Sequence, residues 1–449
     1  MFLSAFVSLI LFFSTMSFAT PVLSDKVDDL ASSILSMKER AAVIDELTQL
    51  CVKQLLPRLM NENAMDMWIL ISREYNEDPV LKTMLPSTWL SARRTTMLVF
   101  ARNTDNTVNA YAIAPYNVGS VFEKAWNKQT HPQQWQALVA LIDKHQPKTI
   151  GINQSKHWAH ADGLVATDKE RLFIELPQPY HSRVISAEKL AVAWLEQRIP
   201  EEMRWYEKLE AIAHRIIAQG FSNEVITVGE TTSEDLQWWF RDKVQALKLQ
   251  AWFHPSVDIQ RKSAANVEAN LTAPASNVIQ AGDLLHVDFG LTYLRLNTDT
   301  QQHAYVLNPN ETSPPKELID AFKTGNQLQD IFTALFKQGR TGNEVLAMAR
   351  QQAIAKGLKP TIYTHPIGYH GHGAGTTLGM WDAQQAVPGS GDYPLHLNTM
   401  YSIELNNAVY LPSWGKEIRI MLEENAFFDQ HGVHYVDGRQ TELHVIDSR

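Results

Sequence analysis

Cysteine is almost absent from this 449-residue sequence. The single cysteine, Cys51, has no partner within the chain, so no internal disulfide can form. Lysine- and arginine-rich runs are also missing, and the formal net charge is −9, which argues against a nucleic-acid partner. After the N-terminal region, no stretch is apolar enough to span a membrane, so we expect no stable membrane anchor.

Charged side chains are missing from the first 24 residues. Phe2–Phe13 is apolar but shorter than the ~20 residues of a spanning helix. Ser17-Phe18-Ala19 then places small residues at the two positions that a signal peptidase recognises. We therefore predict that residues 1–19 are a cleaved signal peptide and that the protein is periplasmic. An uncleaved anchor or a buried helix is the alternative.

The rest of the chain divides by pattern into two regions. Residues 25–186 alternate β-rich runs with a helical pattern, which predicts a smaller α/β domain. Its predicted elements are the strands Met67–Ile71, Thr95–Phe100, Tyr111–Ala114 and Thr149–Ile152 and the helix Gln133–Lys144. In residues 187–449, a helix from Pro200 to Gly220 precedes strands, which are interrupted by helical patterns at Pro315–Lys337 and Gly342–Lys356. This order predicts an α+β domain.

Two aspartates lie in strand-like segments of the second region. Asp288 belongs to an apolar run, Leu284–Gly290, and Asp299 begins a strand that we predict over Thr298–Val306. The aspartates are eleven positions apart, so they would point oppositely on one straight strand but can converge on a hairpin that turns near Arg295–Asn297. A buried acid needs a cation or hydrogen-bond donors. Surface acids on a half-exposed hairpin are the simpler alternative.

A glycine- and histidine-rich segment follows, from His365 to Gly375. If it is extended, His370 and His372 face the same way, and the glycines let a ligand approach closely. A tight turn would explain the glycines as well. Either His370 or His372 can be the metal ligand.

Glu404 and Glu423 complete a set of five potential metal ligands with Asp288, Asp299 and His372. Four carboxylates and one imidazole favour hard or borderline divalent ions and can hold two of them through bridging carboxylates. The ligand types do not distinguish manganese, zinc, cobalt and iron. Either glutamate alone is more often a salt-bridge partner than a ligand.

The order of these residues resembles the pita-bread metallopeptidases, which include aminopeptidase P, prolidase and methionine aminopeptidase. The resemblance covers roughly Pro200–Val436, and the preceding region resembles the N-terminal domain of the creatinase, prolidase and aminopeptidase P branch. It implies two divalent ions, a metal-bridging hydroxide as nucleophile and Glu404 as the catalytic acid and base. It also favours His372 over His370 as the ligand, because the Gly-x-Gly after His372 and the approach to Trp381-Asp382 fit the family motif. It also implies a small peptide substrate with proline at the second position, and a homo-oligomer is compatible with it.

The sequence departs from the family pattern at three histidine positions. Gly368 and Trp381 occupy two of them, and the segment Asn266–Leu271 contains no counterpart of the third. We therefore take His370 as the first candidate for a replacement proton relay. The remaining candidates, for substrate binding, are His365, His254 and Trp381.

These observations predict a periplasmic metal-dependent peptidase, an Xaa-Pro aminopeptidase or dipeptidase. One alternative is a non-peptidase hydrolase or lyase on the same fold, which the lost histidines favour. The other is a weakly active metal-binding protein. The five retained ligands argue against this last alternative, since a scaffold does not need them.

Overall fold

The computed structural model describes residues 27–262 and 277–449. The predicted signal peptide and the segment Asn266–Leu271 lie outside the described residues. Residues 36–449 form one compact unit, and the described residues before it include helix α1 (Val27–Ser32). Of the helices in the described ranges, none combines the length and apolar character that a membrane crossing requires.

A six-stranded mixed sheet forms the first half of the large unit. Its strand order is β4-β3-β2-β1-β5-β6, with β1 antiparallel to β2 and parallel to β5. The strands are β1 (Met67–Arg73), β2 (Thr95–Arg102), β3 (Val108–Ala112), β4 (Glu123–Lys124), β5 (Ile150–Ile152) and β6 (Val184–Ser186). The helices of this half are α2 (Met37–Gln54), α3 (Leu56–Glu62), α4 (Pro79–Met84), α5 (Gln134–His145), α6 (Ala166–Glu175), α7 (Gln178–His181) and α8 (Glu188–Glu196).

A nine-stranded sheet dominates the second half, with the central order β12-β14-β15-β11-β8-β7. Its strands are β7 (Ser256–Gln260), β8 (Leu284–Phe289), β11 (Thr300–Val306), β12 (Pro360–Ile362), β13 (His365–Pro366), β14 (Thr399–Leu411), β15 (Lys416–Asp429), β16 (Gly432–Tyr435) and β17 (His444–Ile446). A separate ribbon contains β9 (Thr292–Tyr293) and β10 (Leu296–Asn297). The helices are α9 (Pro200–Gly220), α10 (Ser233–Ala246), α11 (Lys316–Thr333) and α12 (Gly342–Ala355).

Local sequence explains the helix ends that position this sheet. Helix α9 has the predicted bounds, with Pro200 in its first turn, where a missing N–H costs nothing. Thr232 and Thr341 cap α10 and α12 through their hydroxyls, and an acidic residue three positions later bonds back to the capping backbone. The helices predicted at Gln133–Lys144, Pro315–Lys337 and Gly342–Lys356 are confirmed to within a few residues.

The predicted hairpin around the two aspartates differs in detail. The chain turns at Leu294 and Arg295, whose φ angles are +55° and +67°. Strand β11 starts at Thr300 rather than Thr298, because residues 292–297 form their own two-stranded ribbon. β8 and β11 nevertheless pair antiparallel, so the two aspartates come together across adjacent strands.

Helix α8 connects the two halves through its apolar side chains. Leu190 and Trp194 belong to the same buried cluster as Leu56 and Trp68 of the first half, and the cluster also reaches Ala374 of the glycine-rich segment. The domain boundary predicted at residue 186 therefore stays a prediction, because the core continues across it.

Candidate metal centre

A row of polar side chains crosses four adjacent strands of the large sheet. Asp288 on β8 lies opposite Gln301 on β11, Gln301 lies opposite Glu423 on β15, and Glu423 lies opposite Glu404 on β14. Directly opposed residues have their side chains on the same face of a sheet. Asp299 precedes Gln301 by two positions and is buried beside this row. The sheet register therefore gathers all four predicted carboxylates.

His365 completes this group from the edge of the sheet. Its Nε2 lies 3.6 Å from Glu423 Oε1, 3.7 Å from Asp299 Oδ2 and 3.9 Å from Glu404 Oε2. Its Nδ1 lies 3.0 Å from the carbonyl oxygen of Pro366, which can only accept a hydrogen bond. Nδ1 therefore carries a proton, and in the neutral ring the Nε2 lone pair faces three carboxylates. A cation between them would bind the lone pair and the negative oxygens together.

The buried polar atoms of the centre fit such a cation site. His365 Nε2, Asp288 Oδ1 and Asp299 Oδ1 are buried and have no hydrogen-bond partner. Burial, and next the neighbouring Glu423, raise the pKa of Asp288 to about 8 and the pKa of Asp299 well above its ordinary value. The same two causes raise the pKa of Glu404. Such crowding of acids is stable when divalent ions neutralise it.

Two neutral side chains hold these ligands in place. Ser402 Oγ lies 2.6 Å from Glu423 Oε1. The Asn425 amide brackets Asp299 by accepting from its backbone N–H at 3.2 Å and donating to its carbonyl at 2.7 Å. Ligand positions are thus fixed before any ion binds, which lowers the entropic cost of binding.

The glycine-rich segment bends instead of running as a strand from Gly368 to Gly375. The expectation that His370 and His372 face the same way fails for this reason. His372 lies beside the centre, with its ring centroid 4.8 Å from that of His365, and a ligand atom of His372 comes within 4.8 Å of Asp299. His370 packs on His160 of the first half at 4.5 Å and belongs to none of the potential ligand groups in the described residues.

The two imidazoles also differ in their surroundings. Partial desolvation by the surrounding atoms, and next His365, lower the pKa of His372, although part of this residue is exposed at the rim. Burial, and next His160, lower the pKa of His370 to about 3. Gly371, between His370 and His372, packs directly against the Trp252 ring, where a β-carbon would overlap the ring. Trp252 is held in place because its Nε1–H donates to the Thr298 carbonyl at 2.8 Å.

Residues of the first half and of α8–α9 hold the glycine-rich segment from outside. Trp158 Nε1 donates to the Gly375 carbonyl at 3.1 Å. Tyr369 donates to Glu202 at 2.8 Å, lies 3.7 Å from the sulfur of Cys51 and is covered by Arg198 at 4.2 Å from its ring centroid. We refer to these contacts as the clamp.

The other predicted substrate contacts lie elsewhere. His254 is exposed, with its ring 5.0 Å from that of Trp238 and its Nδ1 3.3 Å from Arg241. Trp381 is 75% exposed and belongs to no potential ligand group in the described part of the chain. Nothing in these positions connects either side chain to the centre.

A second acidic group contains Glu210, His214 and Glu424. His214 already has a carboxylate on each nitrogen, Glu424 at 2.7 Å and Asp437 at 2.9 Å. Burial favours the neutral ring, but hydrogen bonds with Asp437 and Glu424 raise the pKa of His214 to about 11. The ring is therefore charged, and this group forms a buried ionic cluster.

Sequence reasoning placed His365 only among the substrate contacts and missed Gln301, Ser402 and Asn425. One sequence signal for His365 was available. A residue before proline favours an extended conformation, and His365 indeed lies in the short strand β13 (His365–Pro366). The amide and hydroxyl contacts depend on cross-strand register, which no local pattern reveals.

Part of the sequence matches a known protein family, and the fold matches solved structures. Residues 206–425 match the profile of metallopeptidase family M24. No curated protein matches the chain in sequence. The fold is similar to that of an X-Pro aminopeptidase from Thermotoga maritima MSB8, with a TM-score of 0.60, 15% identity and coverage of 86% of this chain and 99% of the other.

Two further solved structures share the fold. For an Xaa-Pro dipeptidase from Bacillus anthracis, the TM-score is 0.54 at 16% identity, with coverage of 91% and 100% of the two chains. For a prolidase from Pyrococcus furiosus, the TM-score is 0.53 at 16% identity, with coverage of 86% of this chain and 100% of the other. The profile match identifies residues 206–425 as a metallopeptidase domain of family M24, and the chain shares the pita-bread α+β fold of these structures.

Proposed function

We propose that this protein is an exported Xaa-Pro peptidase, either an aminopeptidase or a dipeptidase, that uses divalent ions held by Asp288, Asp299, His365, Glu404 and Glu423. The observation that carries the proposal is the Nε2 lone pair of His365, which is buried, unpartnered and within 4 Å of three carboxylates. The peptide substrate is supported by the family and by the named activities of the structural neighbours.

His365 replaces His372 as the proposed imidazole ligand. His365 has its Nδ1 proton committed to a carbonyl and its other nitrogen directed at the acids. We assign His372 to the substrate instead, since it lies at the rim beside His365 and its lowered pKa keeps the ring neutral near pH 7. A neutral imidazole can both accept and donate a hydrogen bond to a peptide group.

A bound divalent ion supplies Lewis-acid chemistry, which polarises a carbonyl and acidifies water. Glu404 is our proposed proton carrier beside the ions, and a hydrogen bond from Gln301 to its Oε1 fixes the orientation of the carboxylate. In the absence of ions, burial and then Glu423 raise the pKa of this carboxyl.

The test begins with metal-free protein that is reloaded with manganese, zinc, cobalt or ferrous iron. An Xaa-Pro dipeptide, an Xaa-Pro-Xaa tripeptide and an Xaa-Ala control are then offered. We expect hydrolysis of one of the two proline substrates only after reloading. His365→Ala should abolish it, whereas the matched variant His254→Ala, at an exposed site, should not change it. Stoichiometric ion binding without cleavage of any peptide would instead favour a non-peptidase hydrolase or lyase.

A further inference from the structure

Gln301 is an unexpected neighbour for a group of metal ligands. It lies in the middle of the row, opposite Asp288 on one side and Glu423 on the other. The side chain is 3% exposed, so its amide must find hydrogen-bond partners within the protein. Its partners show what it does there.

Both N–H groups of the amide are used on ligands. Gln301 Nε2 donates to Glu404 Oε1 at 2.6 Å and to Glu423 Oε2 at 2.7 Å. The other oxygen of each carboxylate is the one near His365 Nε2. Gln301 therefore determines which oxygen of each glutamate is presented to the ion position beside His365.

His286 and Asp258 fix the orientation of the Gln301 amide on the side away from the glutamates. Gln301 Oε1 lies 2.9 Å from His286 Nε2, and His286 Nδ1 lies 2.9 Å from Asp258 Oδ2. The amide oxygen and the carboxylate only accept, so both nitrogens of His286 donate. A flipped amide would set its NH₂ against an N–H and its oxygen against two carboxylates, with the loss of all three bonds.

The same bonds affect two ion positions differently. One ligand set contains Asp299, His365, Glu404 and Glu423, and the other contains Asp288, Asp299 and Glu423. Gln301 donates to two ligands of the first set, Glu404 and Glu423, whereas of the second set only Glu423 is its partner. Glu423 Oε1, which faces His365, also accepts from Ser402 Oγ at 2.6 Å, so both oxygens of this carboxylate are hydrogen-bonded.

We propose that Gln301 is a positioning residue, locked by His286 and Asp258, that turns Glu404 and Glu423 toward the His365 position and thereby strengthens that position over the Asp288 position. This inference rests on the metal centre of the proposed function but not on its peptide substrate. Its consequence is that the two positions fill in sequence, with the His365 position first.

Titration calorimetry of metal-free protein with Mn²⁺ tests the inference without any activity assay. We expect two binding constants in the wild type that differ by tenfold or more. Gln301→Met keeps the length but removes both donors, so the tighter constant should weaken by roughly 10- to 100-fold, the usual loss when a ligand's partner is removed. The two constants should then approach each other.

Gln302→Met is the matched control. Gln302 is the next residue on β11 and also donates to a glutamate, Glu424 at 3.0 Å, but in the ionic cluster around His214. It should leave both constants within about twofold of wild type. Equal shifts in the two variants, or unchanged constants in Gln301→Met, would overturn the inference.

If Gln301→Met does not fold, His286→Phe provides the same comparison, because it removes the donor that orients the amide. We expect the same direction of change with a smaller magnitude, and an unchanged ratio of constants would refute the locking role. A wild type that binds no ion at all would overturn both this inference and the proposed metal centre. Ion binding with the expected pattern but without peptide cleavage would overturn the substrate assignment alone.

Discussion

Asp288→Asn should stabilise the metal-free protein relative to wild type, and this advantage should shrink once ions are present. Without ions, burial and then Glu423 raise the pKa of Asp288 from 3.8 to about 8. A carboxyl whose folded pKa is raised binds its proton more tightly in the native state. The free energy of unfolding therefore falls as pH rises from about 4 to 8. An asparagine at this position carries no charge and removes that loss.

The size of the effect follows from the shift. At pH 7 the pH lies about 3 units above the unfolded pKa, and each unit is worth about 1.4 kcal/mol, so the upper limit is about 4 kcal/mol. Asp288 is half-buried even though its Oδ1 is shielded, so solvent screens part of this penalty. We expect roughly 2 kcal/mol of relative stabilisation in Asp288→Asn at pH 7, and little at pH 4.

The assay is urea unfolding of both proteins in chelator at pH 5, 6, 7 and 8, repeated with saturating Mn²⁺. Wild type should gain about 2.7 kcal/mol at an ion concentration 100 times the dissociation constant. The variant keeps the ligands of the His365 position but loses one from the Asp288 position, so it should gain less and its advantage over wild type should shrink. Asp320→Asn, at an exposed ion pair with Lys316, serves as control and should show neither trend. An asparagine variant that is less stable than wild type without ions at every pH would refute the reasoning.

Three other outcomes are expected. His365→Ala should lose ion affinity in calorimetry, whereas His372→Ala should bind ions within a few-fold of wild type but slow turnover by ~10²–10⁴-fold; equal ion loss in both would contradict the assignment. Burial lowers the pKa of His303 to about 3, so this neutral ring should cost the metal-free protein stability as pH falls below 6.5. His303→Gln should flatten that slope in urea unfolding, and an unchanged slope would count against it. N-terminal sequencing of the exported protein should begin at Thr20 if residues 1–19 are removed, and full-length protein in the cytosol would contradict export.

Much of the candidate site was predictable because single residue types carry strong local signals. Asp288 was predictable from an acid within an apolar strand, and period-two alternation indicated its face. Helix α9 was predictable to the residue from proline at its start and glycine at its end.

The remainder depended on three-dimensional relations. Assignment of the imidazole ligand assumed an extended segment from His370 to His372, but glycines bend the chain there and leave His365 at the sheet edge. The contacts of Gln301 with Glu404 and of Asp258 with His286 join residues 103 and 28 positions apart. Such contacts follow from strand register, which a sequence pattern determines only when one face is clearly buried.

The clamp means that the two halves of the chain are not exchangeable parts. Trp158 and Cys51 come from the first half, yet they hold the segment that places His372 beside the centre. A shortened protein that begins near residue 187 would keep every proposed ion ligand but lose these supports. Likewise, a relative's first half could be grafted on only if it brought an indole for the Gly375 carbonyl and a small buried group for Tyr369. Substitutions in the first half can therefore alter the surroundings of His372 without touching any proposed ion ligand.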